Sequence, residues 1–314
     1  MSAGARVVEV FENSRPRLEA VAYRLLGSAS DAEDAVQDTF LRWHAADHEF
    51  VETPEAWLTK VLTNICLNQL TSARVRREAY VGQWLPEPIF AGDRMFGPAD
   101  TVEQRESVSI AMLTLMERLS AKERVVYVLR EAFGYAHSEI AEILDLTESN
   151  CYQIYRRAKQ HVAGDRTRVE VDSATARKIV EEFLAAALSG KTDSLVRLLS
   201  DDVVNAGDGG GVFFSLPEPI TGALRVARFL RRLFESTVEK RAMIGGRADL
   251  YSAVVNGVPG LVIMVGDRIV VVITLEVTTH GIVAVHTQAN PSKLERATRH
   301  WAAFEHADPL LKGW

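Results

Sequence analysis

A pattern of two short helices joined by a tight turn, at residues 136–162, constrains the fold of this chain more than any other stretch. Its sequence is AHSEIAEILDLTESNCYQIYRRAKQHV. In the second helix apolar residues recur every four positions, at Ile154, Ala158 and Val162, so this face is predicted to pack inward. Thr147 is placed to cap that helix. The stretch therefore predicts a helix-turn-helix.

The opposite face of the second helix is polar, and its side chains can reach base edges or phosphates. A helix-turn-helix places such a face in the major groove of DNA. An ordinary helical hairpin with a solvated polar face is the alternative, which this stretch alone leaves open. The face carries Asn150, Gln153, Arg156, Arg157 and Gln160.

Three further amphipathic helices are predicted near the N-terminus. The second has an acidic outer face, which suits either solvent or a protein partner. The third ends in arginines, which complement the helix dipole or hold a phosphate backbone. The predicted helices are Arg15–Leu26 with Pro16 near its start, a helix opened by a capping box at Ser30–Glu33 and ending near His44, and one from Pro54 to about Glu78.

Residues 80–99 interrupt the helical pattern, with three prolines, three glycines and no amphipathic period. This composition is typical of a linker. Its large apolar side chains, such as Trp84 and Phe96, are too many for a free tether, so we expect it to lie on another domain. Two helices, Thr101–Leu119 and Ala121–Phe133, are predicted between this linker and the helix-turn-helix.

The last part of the chain changes to a mixed pattern after a charged linker at 164–172. Three helices are predicted first, at Ala174–Leu188, in a short stretch through Leu199, and at Thr221–Phe234. Four β-rich runs follow between Ala248 and Ala289, with short turns at Asn256-Gly257 and Gly266-Asp267. Helices followed by an antiparallel meander predict an α+β domain with a curved sheet over helices. The tail from 290 to 314 is expected to form a short helix and a frayed end.

Composition narrows the function classes. The length of 314 residues allows two or three domains, and no apolar run is long enough for a membrane span or a secretory signal. Cys66 and Cys151 lie far apart, which predicts no metal or redox pair and suits the reducing cytoplasm. We expect no cofactor. A net charge of −6 argues against a general nucleic-acid binder, so DNA contacts must come from local basic patches and a larger partner.

Four stretches together resemble the extracytoplasmic-function sigma factors of bacterial RNA polymerase, in the sigma-70 family. They are DAEDAVQDTFLRW (31–43), TPEAWLTKVLTNICLNQL (53–70), LSAKERVVYVLRE (119–131) and SEIAEILDLTESNCYQIYRRAKQ (138–160). The linker YVGQWLPEP, the DGGG segment and the ANPSKL tail resemble the subgroup with a fused SnoaL-like domain. The resemblance implies a multidomain protein with sigma region 2 at 1–79, a linker with WLPEP at 80–100, sigma region 4 at 101–165, an α+β SnoaL-like, NTF2-like domain at 172–290 and a tail at 291–314.

The resemblance also implies roles for individual residues. The acidic helix would bind the β′ clamp of core RNA polymerase, and region 4 would lie near the β flap. Region 2 would hold melted, flipped bases of the minus-10 element, and region 4 would read the minus-35 element as duplex. The implied sets are Asp34, Gln37, Asp38 and Leu41 for polymerase; Lys60, Asn64, Asn68, Arg74, Arg76 and Arg77 for the minus-10 element; and Ser149, Asn150, Gln153, Arg156, Arg157 and Lys159 for the minus-35 element.

A docked linker is the expected means of regulation. We predict that the WLP of the linker docks on the C-terminal domain near the DGGG segment, where three glycines permit a tight turn or a close approach. The fused domain would then act in cis and replace a separate anti-sigma factor, with a small-molecule ligand left open. The implied regulatory residues are Trp84, Leu85, Pro86, Asp208, Gly209, Gly210 and Gly211.

Two other function classes stand beside the sigma factor. One is a ligand-responsive helix-turn-helix regulator that binds DNA without polymerase. The other is an enzyme with a DNA-binding domain, for which Asp208, His280 and His286 are the only acid–base candidates in the C-terminal domain. The complete two-region pattern favours the sigma factor, so no catalytic residue is expected.

Overall fold

The computed structural model describes residues 3–78, 80, 82–97, 107–162, 172–213 and 216–314. The chain forms two compact units, one of residues 1–79 with 92–164 and the other of 80–91 with 165–314. The linker is therefore divided between them, with its first twelve residues in the second unit. Within the described ranges, no helix is long and apolar enough to cross a membrane.

Among its described residues, the first unit forms helices and no strand. Two short 3-10 turns, His48–Phe50 and Arg94–Phe96, interrupt its connections. The helices are α1 (Ala3–Leu26), α2 (Ala29–Ala45), α3 (Pro54–Glu78), α4 (Ile110–Met116), α5 (Ala121–Glu131), α6 (His137–Leu144) and α7 (Glu148–Val162).

Helix α1 begins twelve residues before the predicted start, so Pro16 lies inside it. A proline in a helix interior normally costs about 3 kcal/mol. Here tertiary contacts hold the turns before it: the ring centroids of Phe11 and Phe40 are 4.8 Å apart, and Trp43 Nε1 donates to Val7 O at 2.9 Å. Packing against α2 has overridden the local helix-breaking signal.

The start of α2 differs from its prediction because another serine acts as the cap. Ser28, rather than Ser30, accepts a hydrogen bond from Asp31 N at 3.1 Å and caps α2. Within the helix predicted at 101–119, residues Ile110–Met116 are helical with Ser109 as the N-cap, and residues 101–106 lie outside the described ranges. An exchange of one serine cap for another shifts a boundary without changing the order of helices.

The helix-turn-helix forms as predicted. Asp145 ends α6 in the left-handed region, at φ 52°, and Thr147 Oγ1 accepts from Asn150 N at 3.3 Å to cap α7. Ile154, Ala158 and Val162 are all buried. The four-residue repeat therefore identified the inward face of α7 correctly.

The second unit is built on one six-stranded sheet. Its strands are β1 (Leu199–Asp208), β2 (Ile220–Thr221), β3 (Asp249–Val255), β4 (Val258–Val265), β5 (Arg268–Thr278) and β6 (Gly281–Gln288), and they lie in the order β2-β1-β6-β5-β4-β3. Strands β3 to β6 form the predicted antiparallel meander, and β1 joins it in parallel beside β6. Positive φ angles at Asn256 and Gly257, 52° and 78°, form the predicted tight turn. The helices of this unit are α8 (Ser173–Leu188), α9 (Thr192–Val196), α10 (Ala223–Leu233), α11 (Val238–Ile244) and α12 (Pro291–Ala302).

The sheet has an apolar cluster against each face. On one side α8 and α10 contribute Phe183 and Leu230 to a core with the sheet residue Val285. On the other side Phe90 of the linker and Trp301 of α12 form a smaller cluster with strand residues. The linker is thus part of the packing of this unit, which explains its apolar composition.

The frayed end predicted for the tail was wrong. Leu250 N donates to Leu311 O at 2.9 Å, and the backbones of Ala248 and Trp314 exchange two hydrogen bonds of 3.2 and 2.8 Å. Residues 310–314 therefore pair along β3. Backbone pairing of this kind leaves no periodic signal in so short a stretch.

Candidate functional site

A buried carboxylate at the end of β1 organises the polar contacts of the second unit. The residue is Asp208, which is 1% exposed and pairs in register with Gln288 at the end of β6. A charge in such a place is stable only with paired charges and hydrogen bonds. Its neighbours come from four separate stretches of chain: the linker, the DGGG turn, β6 and α12.

Both oxygens of Asp208 are occupied. Oδ1 accepts from the Tyr80 hydroxyl at 2.6 Å and from Gly210 N at 3.0 Å. Oδ2 accepts from Leu85 N at 3.0 Å and from Lys293 Nζ at 2.7 Å. The carboxylate is therefore a structural acceptor that joins the linker to the domain.

Lys293, in the first turn of α12, supplies the opposite charge. Its Nζ also donates to Leu85 O at 2.7 Å and lies 4.2 Å from the centroid of the Trp84 ring and 5.0 Å from that of Tyr80. Cation–π contacts of this kind stabilise by about 0.5–2 kcal/mol, more as the site becomes drier. Trp84 thus contacts the ammonium group, whereas the backbone of Leu85 contacts the carboxylate.

Gln288 completes the attachment of the WLPEP segment. Its Nε2 donates to Leu85 O at 3.2 Å and to Pro86 O at 3.1 Å. Asn290 donates to the Tyr80 hydroxyl at 2.7 Å, and burial together with the carboxylate raises the pKa of that tyrosine. The structure thus brings together the predicted Leu85, Pro86 and Asp208 through residues that sequence reasoning did not select.

The glycines of the DGGG turn are needed for different reasons. A Cβ on Gly209 would lie 2.1 Å from the backbone oxygen of Phe213, and one on Gly210 would lie 2.4 Å from the side chain of Asn290. Gly210 and Gly211 also have φ angles of 61° and 72°. The turn is therefore closely packed against the start of α12.

The three acid–base candidates do not form a catalytic arrangement. His286 lies opposite Ala206 and Thr274 in the sheet, His280 is exposed in the β5–β6 turn, and the oxygens of Asp208 are already engaged. The geometry gives the carboxylate no role in proton transfer.

The outer stripe of α2 is exposed in the first unit. Asp34, Gln37, Asp38 and Leu41 follow one another at helical spacing, and Leu41 is 57% exposed. An exposed leucine between acidic and amide side chains offers a small apolar contact with a polar rim.

The candidate minus-10 residues lie along α3. Lys60 donates to Asp145 Oδ1 at 2.8 Å and to Glu142 O at 2.9 Å, both at the turn of the helix-turn-helix, while Asn64 is half-buried and Asn68 is exposed. This brings a region 2 candidate against region 4. The side chains of Arg74, Arg76 and Arg77 lie outside the described residues.

The candidate minus-35 residues share the exposed face of α7: Ser149, Asn150, Gln153, Arg156, Arg157 and Lys159. Lys159 differs from the others, because it donates to the Tyr155 hydroxyl at 3.1 Å and lies 3.9 Å from Glu131. These contacts raise the pKa of Lys159. Its head group is therefore partly engaged within the unit.

Two buried arginines, which sequence reasoning missed, hold the first unit together. The Arg24 guanidinium donates to Ser107 Oγ at 2.7 Å and to Met95 O at 3.1 Å. Arg124 donates to Arg24 O at 3.2 Å through two nitrogens and pairs with Glu117. Burial lowers the pKa of Arg24 to about 10 and that of Arg124 to about 9, so both remain charged at neutral pH.

Comparison with known proteins gives consistent matches. Residues 10–76 match the family model of sigma-70 region 2, and residues 109–162 match that of sigma-70 region 4. The ECF RNA polymerase sigma factor SigJ of Mycobacterium tuberculosis is 35% identical over 260 residues, covering 81% of this chain and 83% of the relative. The probable ECF sigma factor SigI of the same species is 29% identical over 301 residues, covering 94% and 97%.

A solved structure agrees with the fold as a whole. The crystal structure of M. tuberculosis SigJ superposes with a TM-score of 0.68 at 29% identity, covering 91% of this chain and 97% of that one. Helical regions followed by a mixed α/β domain are thus shared along nearly the full length.

Proposed function

Because the chain belongs to the family of extracytoplasmic-function RNA polymerase sigma factors, we propose that its second unit regulates initiation in cis by holding the linker between regions 2 and 4. A sigma factor binds core RNA polymerase and directs it to promoter DNA, and it is not an enzyme.

The observation that supports control in cis is the attachment of the linker. Leu85 N donates to Asp208, and both Gln288 and Lys293 donate to Leu85 O. A backbone held at both its N–H and its C=O cannot rotate without breaking several buried hydrogen bonds to charged and amide side chains. The docked linker therefore restricts the conformations open to the two DNA-binding regions.

We expect the stripe of α2 to bind the polymerase clamp. Asp34 and Asp38 supply charge, Gln37 a hydrogen bond and the exposed Leu41 an apolar anchor. Interfaces of this kind depend on a few anchors within a polar rim. On this proposal Leu41→Ala weakens core binding more than loss of either carboxylate alone.

The polar face of α7 is proposed to read the minus-35 duplex. Asn150, Gln153, Arg156 and Arg157 are exposed on consecutive turns of the second helix of a helix-turn-helix, which enters the major groove in this class of motif. Lys159 is better suited to a phosphate than to a base, since it already contacts Tyr155.

Lys60, Asn64 and Asn68 are proposed to contact the minus-10 element, with the arginines at the end of α3. Lys60 must first leave Asp145 of region 4. This exposed pair contributes at most about 1 kcal/mol, so it cannot lock the unit by itself. The buried contact of Arg124 with the carbonyl of Arg24 is the stronger attachment.

The same proposal covers the remaining partners. A tethered regulatory unit removes the need for a separate anti-sigma factor, and a location in the cytoplasm follows from that of the polymerase.

A groove of about 340 Å³ borders Phe90, Ala91 and Trp301. A small molecule bound there would touch the end of the linker, which makes it the proposed ligand site.

Run-off transcription with core polymerase tests control in cis. Asp208→Asn in the full chain removes the charge that holds the linker, and Asp201→Asn makes the same change at an exposed position of β1. Asp208→Asn should change initiation while Asp201→Asn does not. An increase means that docking restrains the factor, and a decrease means that the docked linker belongs to the active form. Equal transcription by both variants and wild type would contradict the proposal.

A further inference from the structure

Helix α10 of the second unit has a solvent face made almost entirely of arginine. Around the helix axis, Arg225, Arg228, Arg231 and Arg232 fall within an arc of about 120°, with Leu224 as the only other long side chain there. The opposite side, with Val226, Ala227 and Leu230, is buried in the core. The promoter contacts proposed above do not use this face.

None of these arginines is neutralised within the described part of the chain. Their guanidinium groups take part in no hydrogen bond or ion pair among the described residues. Arg228 and Arg232 are four residues apart, and like charges at this spacing destabilise a helix by a few tenths of a kcal/mol. The arrangement thus costs some stability and leaves the exposed guanidinium groups of Arg225, Arg228 and Arg232 facing outward, with Arg231 half-buried beside them.

The local charge is opposite to that of the whole protein. Residues 223–247 contain seven basic and two acidic residues, in a chain of net charge −6. Lys240 is directed to carbonyls at the end of α10, including Glu235 O at 2.8 Å. Arg241 of the following helix contacts Ser236. A concentrated positive field on an acidic protein is suited to a polyanion.

We propose that the arginine face of α10 is a phosphate-binding surface for promoter DNA, a contact additional to those of regions 2 and 4. The inference rests on the sigma-factor function. Arg225 and Arg232 are seven residues apart, which is about 10 Å along the helix, enough to meet successive phosphates of one strand. Guanidinium groups bind phosphate oxygens in pairs of hydrogen bonds. Phosphate contacts of this kind add affinity and carry no base specificity.

An anionic membrane is the competing polyanion, and the packing of α10 argues against it. A helix that lies on a lipid surface buries its apolar side in the bilayer, and its basic residues flank that side and contact the anionic headgroups. Here the apolar side of α10 is buried against the sheet and α8. Leu224, which is 49% exposed, remains alone among the arginines. The face offers charge and very little apolar area.

Salt dependence of promoter binding provides the first test. The variant with Arg225→Gln, Arg228→Gln and Arg232→Gln loses three positive charges, and a matched control with Lys178→Gln, Lys191→Gln and Arg197→Gln loses three exposed charges elsewhere in the same unit. Each lost phosphate contact should reduce the slope of log K against log salt by about 0.9. With core polymerase on promoter DNA, the first variant should lose roughly two to three units of slope and the control none. Equal slopes for the two variants would overturn the proposal.

Cross-linking identifies the partner directly. Both native cysteines, Cys66 and Cys151, are buried, so a cysteine introduced by Arg228→Cys or Arg197→Cys carries a photo-cross-linker selectively. In the complex of full chain, core polymerase and promoter, position 228 should cross-link to DNA and position 197 should not. Cross-links from position 228 only to a polymerase subunit, or retention by phosphatidylglycerol vesicles in place of DNA, would refute DNA as the partner.

The two proposals fail in distinguishable ways. Absence of promoter-dependent initiation by the wild-type chain with core polymerase would remove the sigma mechanism. The comparison of slopes would then be made with the full chain and duplex DNA alone, where the same difference between the two variants is expected. Normal initiation with identical slopes would remove the arginine surface and leave the sigma mechanism unaffected.

Discussion

Replacing Asp208 by asparagine should destabilise the second unit more than any exposed carboxylate change. The substitution keeps the shape but removes the charge that faces Lys293 Nζ at 2.7 Å. The lysine side chain is only 10% exposed, so water can solvate the unpaired ammonium group only in part. The asparagine also replaces one carboxylate oxygen by an N–H₂ group. This group would face another donor, either the hydroxyl of Tyr80 or the N–H of Leu85.

The magnitude follows from the burial of the pair. Removing one partner of a buried ion pair costs about 3–5 kcal/mol. Lys293 keeps its bond to Leu85 O, and the asparagine oxygen still accepts one bond, so we expect about 3 kcal/mol here. For a unit of this size each kcal/mol shifts Tm by about 2–4 °C, which gives a fall of roughly 6–12 °C. Part of this loss should appear first as release of the linker.

Thermal unfolding followed by calorimetry, together with limited proteolysis at the linker, measures both effects. The double variant with Asp208→Asn and Lys293→Met removes both charges, and its loss should be smaller than the sum of the single losses by more than about 1 kcal/mol. Asp201→Asn on the exposed part of β1 is the matched control. A Tm within 2 °C of wild type for Asp208→Asn, or strictly additive losses, would refute the idea that the ion pair holds the linker.

Three further outcomes are expected. In calorimetry, Gly210→Ala should lower Tm more than Gly190→Ala. Both glycines have a positive φ, 61° and 71°, but only a Cβ at position 210 would clash with the side chain of Asn290. Equal losses of Tm would mean that the positive φ alone causes the effect. Lys60→Ala should reduce the free energy of unfolding by less than about 1 kcal/mol, because its ion pair with Asp145 is exposed. The same change should slow promoter melting, which permanganate footprinting measures. Unchanged melting would show that Lys60 does not contact the minus-10 element. The pKa of Tyr80 is raised, so the folded state favours the neutral phenol. The contribution of Tyr80 to stability is therefore complete below the unfolded pKa of about 10 and is lost as pH rises above that value. This part of the fall in Tm at high pH should be absent in Tyr80→Phe.

Local patterns were sufficient to predict much of the fold. The helix-turn-helix has a complete set of signals, from the apolar repeat to the cap at Thr147, and all of them lie within 27 residues. The meander was predictable for the same reason, since Asn256-Gly257 specifies a turn through its own backbone preferences. In both cases the residues that determine the element are neighbours in sequence.

The missed residues have partners far along the chain. Lys293 donates to a backbone oxygen 208 residues away, and Arg24 to one 71 residues away. A carbonyl oxygen is the same in every residue, so no sequence pattern marks it as a partner. The ANPSKL motif contains Asn290 and Lys293, but only the structure shows which atoms they meet.

The pairing of β3 bears on self-association of the protein. This outermost strand has its free edge covered at both ends by segments of its own chain: Phe90 of the linker bridges Val255, and Leu311 of the tail bridges Leu250. Release of the linker would uncover the N–H and C=O groups near Val255, and an open strand edge readily accepts a strand from another molecule. The released form of the protein should therefore be the one that dimerises or aggregates, and dilution would be the means to keep it a single chain.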